Sequence, residues 1–176
     1  MMDRLTGHFR AEVFLVLLAI GIGVLENLVP KPFPFLRIGL GNVVTVSAII
    51  RFGTMTGLRI NILRSTGAAL LLGIIATPTY LLSLAGGIVS SIVMGNLRKA
   101  FSVTGISVAG SLCSLCIQLF LAMLLLPGLP VGTLALPLVI WGILSGTVTG
   151  IIAVILLRKG FPWIRETGVD STCYQG

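Results

Sequence analysis

The sequence predicts an all-α integral membrane protein with six transmembrane helices and both termini on the cytoplasmic side. Three observations predict it. Of its 176 residues 56% are hydrophobic and 10% charged, with a mean hydropathy of +1.10, against roughly 25% charged residues in an ordinary soluble domain. Apolar stretches near the crossing length of roughly 17 to 25 residues recur along the chain. The 12 Lys and Arg gather at alternate ends of those stretches, as the preference of basic residues for cytoplasmic loops requires.

The first span, about 12–29, closes in Leu-Val-Pro without a small-residue cleavage site, so it is a mature helix rather than a leader. The second, about 38–52, is short, roughly 22 Å at 1.5 Å per residue, and has to tilt little or cross where the bilayer thins. The third, fourth, fifth and sixth follow at about 60–77, 79–97, 104–126 and 134–157. Residues 1–160 then form a single six-helix transmembrane domain, and 161–176 a short cytoplasmic tail.

With the N-terminus inside, ten basic residues fall on the cytoplasmic side and two, Lys31 and Arg37, on the outer side. That split sets the direction. Arg64, a turn inside the third span, is expected to snorkel to the cytoplasmic surface. Tyr80 and Trp141 fall near the outer interface and Trp163 near the inner one, as an aromatic belt predicts. The outer connections "ATPTY" and "PGLPVGTLALP" carry no charge and suit a lid folded onto the membrane.

Depth along each span brings several polar residues to one level near the outer face. Glu26 and Asn27 end the first span, Asn42 opens the second, Gln118 lies in the outer half of the fifth and Trp141 in the outer part of the sixth. Lys31, Phe33, Phe35 and Arg37 stand in the connection above them. An unsatisfied polar group in hydrocarbon costs several kcal/mol, so such residues face protein, water or a ligand. Two readings stand: a pocket open to the outside, or an ion pair of Glu26 with Lys31 or Arg37 beside amides that cap or join helices.

Ser107, Ser111, Ser114 and Gln118 share one stripe of the fifth span, expected to pack closely with Gln118 alone reaching a cavity. Gly142, Gly146 and Gly150 repeat Gly-x-x-x-Gly on the sixth, and Ser83, Gly87 and Ser90 line one side of the fourth, so these three helices are expected to pack tightly. On the first span Ala19 and Gly23 make a small pair, read either as internal packing or as a docking strip for another membrane protein.

Several chemistries lack their residues. The two aspartates, Asp3 and Asp170, lie at opposite ends, which leaves no cluster to hold magnesium on a diphosphate. No phosphate-binding Gly-x-x-x-x-Gly-Lys-Ser/Thr loop and no nucleophile with its base is present. Cys113 and Cys116 lie three apart in an apolar helix, and with His8 the sole histidine neither a disulfide framework nor a metal site is expected. The basic residues lie singly or in pairs, so the charge of +7 reads as topology rather than nucleic-acid binding. No enzymatic activity and no cofactor is expected.

The segments "LENLVPKPFPFLRIGLGNVVTV", "RFGTMTGLRINILRSTG", "LSLAGGIVSSIVMGNL" and "GISVAGS" resemble the Gx transporter family, also described as heptaprenyl diphosphate synthase component I. That family is similar to the substrate-binding S components of energy-coupling factor (ECF) transporters, six-helix proteins that dock on a transmembrane T component with two ATPase subunits. The resemblance implies an S-component-like bundle in the cell membrane that captures a small organic micronutrient or precursor, isoprenoid or quinone precursors among them. It implies that Ala19 and Gly23 dock on the T component and that Lys31, Phe33 and Phe35 belong to a substrate gate. The expected substrate contacts are Glu26, Asn27, Arg37, Asn42, Gln118 and Trp141. The chain departs from the pattern at Ser114 and Leu115, where a His-Asn pair is usual, and at Gly41, where alanine is usual. The rival expectations are a noncatalytic membrane subunit of a prenyl diphosphate synthase and a membrane scaffold.

Overall fold

In a computed structural model, residues 2–28, 39–125 and 131–159 are described, with side chains for 12–26, 39–125 and 135–158. Among them are six helices: α1 (Met2–Leu28), α2 (Leu40–Phe52), α3 (Thr54–Leu71), α4 (Pro78–Leu97), α5 (Val103–Leu125) and α6 (Val131–Lys159). Three stretches, Pro78–Leu97, Val103–Leu125 and Ala135–Arg158, are long and apolar enough to cross a membrane.

Burial is distributed as a lipid solvent demands. Leu136, Ile140, Ile143, Leu144, Ile151 and Ile155 lie exposed along α6, while Asn61, Arg64, Ser91, Ser107 and Thr149 are buried. Apolar side chains outside and hydrogen-bonded polar ones inside fit hydrocarbon surroundings. The molecule is a membrane protein.

The short α2 is the centre of the bundle. Seven consecutive residues, Val43 to Ile49, are buried, and they feed two cores: Val43, Val46 and Ile49 with Met94, Ile106 and Ala153, and Val44 and Ala48 with Leu15, Ala19 and Ile60. A helix enclosed by its neighbours is largely apolar on every side, and eight of the 13 residues of α2 are buried. A single residue, Gly53 at φ 96°, joins α2 to α3, a conformation that costs a residue with a Cβ but not glycine.

Several ends differ from the sequence reading: α1 begins at Met2 rather than near 12, α3 begins at Thr54 rather than near 60, and two further ends change the connections. The apolar run to residue 77 does not continue α3, which stops at Leu71. There Ile74 N–H donates to Ala69 O at 2.9 Å and Gly73 N–H to Leu70 O at 3.2 Å, with Gly73 at φ 68°. This is a Schellman ending, in which glycine takes the left-handed position after the cap. In the other direction α6 begins at Val131 and runs through Pro137, so the later part of "PGLPVGTLALP" is helix rather than lid. Residues 126–130 and the tail lie outside the described residues.

Candidate functional site

A cavity of about 40 Å³ opens where the end of α1 and the starts of α2 and α4 meet α3, α5 and α6. Each helix supplies a polar or aromatic group: Glu26, Asn42, Arg64, Ser83, Gln118 and Trp141. The volume holds a few water molecules.

Glu26 is 5% exposed, and its Oε1 accepts the Leu40 N–H at 2.7 Å. Leu40 is the first residue of α2, whose unsatisfied amides and positive dipole end favour a carboxylate. Gly39, at φ 83°, precedes it, and a Cβ there would lie 2.7 Å from Ser145 Oγ. Glycine thus lets α2 start in close contact with α6.

Arg64 does not snorkel. It is 6% exposed and lines the cavity. Helix α3 begins at Thr54, six residues before the expected start, which puts Arg64 about 15 Å along the helix, beyond the reach of its side chain to that end. Gly57, Ile60, Asn61, Arg64, Ser65 and Ala68 form the buried stripe of α3. Their i, i+3, i+4 spacing was the available signal that Arg64 points inward. Its Nη2 donates to Asn61 Oδ1 at 3.3 Å, Asn61 Nδ2 to Ser91 Oγ at 3.1 Å, and Ser91 Oγ to Gly87 O at 2.9 Å. Glu26 is the acidic group whose charge acts on the guanidinium.

Gly41 makes room for that guanidinium, because a Cβ on residue 41 would overlap Arg64 Nη1. Glycine at 41 is therefore matched to the arginine. Gly41→Ala is expected to push Arg64 aside and cost about 1–3 kcal/mol by overpacking. A fall in melting temperature that Gly41→Ala shares with Arg64→Ala, without adding to it in the double variant, checks the coupling.

On α5 the cavity takes Ser111 and Ser114 as well as Gln118, which corrects the expectation that Gln118 reaches it alone. Gln118 Nε2 donates to Ser114 Oγ at 2.9 Å. Gly86 lies opposite, where a Cβ would meet both atoms at 2.8 Å. Ser107, farther along the stripe, instead shares a 2.8 Å hydrogen bond with Thr149 of α6. Trp141 lines the cavity with 37% of its surface exposed, so the ring sits at the cavity edge. Asn42 is half-buried on the cavity wall.

Ala19 and Gly23 are turned inward. Ala19 is fully buried in the core with Ile60, and a Cβ on Gly23 would touch Ala68 Cβ at 3.4 Å and Arg64 Cγ at 3.6 Å. Their small size brings α1 onto α3, so they do not form an exposed docking strip here. Gly142, Gly146 and Gly150 all face α5. The Asn27 side chain, Lys31, Phe33, Phe35 and Arg37 lie outside the described residues. Arg64, Ser83, Ser111, Ser114 and Ser145 are the polar cavity residues that depth alone missed.

A family model described as heptaprenyl diphosphate synthase component I matches residues 15–156. The chain belongs to that family. The match to this component I family begins in α1 and ends in α6, so it takes in all six helices and the whole cavity. No curated protein and no solved structure matches the chain.

Proposed function

We propose that this component I family member is the substrate-binding membrane component of an ECF-type importer, and is not itself an enzyme. It sits in the cell membrane with both termini cytoplasmic and takes a small organic molecule from the outer side. The observation that carries the reading is the gathering of charged, amide and aromatic side chains from all six helices around one cavity in an apolar bundle. A buried polar cavity between helices marks a ligand path or site in a membrane protein more readily than a scaffold.

In this reading Glu26, Arg64, Asn42, Gln118 and Trp141 meet the ligand. The connection with Lys31, Phe33, Phe35 and Arg37 closes over the mouth, with Arg37 and Asn27 adding contacts. A transmembrane T component and two ATPase subunits supply the energy, because the chain has no phosphate-binding loop of its own. Moving Arg64 from the cytoplasmic edge to the cavity leaves nine basic residues inside against two outside, so the orientation argument keeps its sign.

The family description favours a second reading, a noncatalytic membrane subunit of a prenyl diphosphate synthase. Gentle purification followed by mass spectrometry of the retained proteins and small molecules separates the two. The importer reading expects T component and ATPase chains with a bound metabolite. A synthase partner with no retained metabolite overturns it.

A further inference from the structure

The guanidinium of Arg64 is only half used. Nη2 holds Asn61, but Nη1 is buried with no hydrogen-bond partner among the described residues. Ser111 Oγ, on the same cavity, is also buried without one. A buried donor left unbonded loses its hydration without replacement, and the loss is largest for a charged group. Glu26 supplies charge but not the missing bond, since the hydrogen bond of its Oε1 goes to the start of α2. The helix end and the carboxylate thus compensate each other, and Arg64, which lines the cavity, keeps Nη1 enclosed beside Gly41 and unbonded.

We propose that the cavity binds the carboxylate of a small organic acid, with Arg64 as the anchoring cation and Ser111 as a second donor. This deepens, and rests on, the substrate-binding reading. The flat carboxylate matches the guanidinium fork, and a group of that size suits a cavity of about 40 Å³. A single negative charge suits the electrostatics, because a phosphate dianion would bring a second charge against Glu26. The rest of the molecule extends toward Leu115, Gly142 and Trp141, the apolar side of the cavity.

The test uses the full chain in lipid nanodiscs and sodium acetate as probe, with acetamide as its neutral counterpart, sodium phosphate as the competing anion and sodium chloride at matched ionic strength. Acetate is expected to raise the melting temperature saturably where acetamide and chloride do not, and phosphate less than acetate. Arg64→Gln is expected to weaken the acetate response by at least about tenfold, and Arg64→Lys by less, since lysine keeps the charge but loses the fork. If Arg64→Gln does not fold, Ser111→Ala, which leaves Arg64 in place, is expected to weaken the response several-fold. Equal responses to acetate and acetamide, a response that survives Arg64→Gln or Ser111→Ala unchanged, or a stronger response to phosphate overturns the proposal. The importer reading is judged separately, since its partner chains are scored by copurification without any added acid.

Discussion

Gly146→Leu is expected to leave little folded protein. Glycine at 146 lets α6 lie directly on the backbone of α5: a Cβ there would stand 2.7 Å from Val108 Cα, 3.0 Å from Ser111 Oγ and 3.2 Å from Ser107 O. Backbone cannot rotate out of the way as a side-chain tip can. A single methyl, in Gly146→Ala, is expected to cost about 1–3 kcal/mol, and the longer leucine has to part the two helices. Parting them also breaks the buried Ser107 to Thr149 hydrogen bond and strips the cavity of its α5–α6 wall. Gly150, with a Cβ position 2.7 Å from Thr104 Cα, is the adjacent contact of the same seam. The check is yield and monodispersity after detergent extraction. Gly21, whose Cβ position meets nothing within 4 Å, is the control, and Gly21→Leu is expected to extract normally. Equal yields for the two leucine variants would mean that the α5–α6 contact is not close.

Glu26→Ala is expected to destabilise the protein by about 1.5–3 kcal/mol, the range for a hydrogen bond to a charged group. It removes the acceptor of the Leu40 N–H and leaves the buried Arg64 without the acid that acts on it. Glu26→Gln behaves differently. The amide oxygen still accepts the Leu40 N–H, so most of the stability is expected to remain, while the charge balance of the cavity shifts by one unit toward positive. Ligand selection should therefore change where folding does not. Thermal melting of both variants, with mass spectrometry of the small molecules each retains, reads the two effects separately. If Glu26→Gln melts as low as Glu26→Ala, the charge rather than the hydrogen bond holds α2. If Glu26→Gln retains the same metabolite in the same amount, Glu26 is structural and does not face ligand.

The contrast between Arg59 and Arg64 shows what the linear pattern carries and where it stops. Both are arginines on α3 with apolar neighbours, yet Arg59 is exposed and Arg64 is buried in the bundle. Five residues rotate a helix by about 140° beyond a full turn, so the two must face different ways, and that much can be read from spacing. Which of them faces inward depends on where α1, α2 and α4 lie. The same holds for Ala19 and Gly23, whose spacing makes a flat strip but does not say what lies on it. Placing α3 there turned a candidate docking face into internal packing.

Sequence by itself determined the membrane class and the approximate place of each helix, because apolarity, run length and basic flanks act locally along the chain. It also brought Glu26, Asn42, Gln118 and Trp141 to a common level, because rise per residue converts position into depth. Tertiary structure alone decided the rotation of each helix about its axis. That rotation is set by mutual packing, by Gly41 admitting the Arg64 guanidinium and Gly87 admitting Asn61, and it turned a cation expected at the membrane surface into part of the cavity lining.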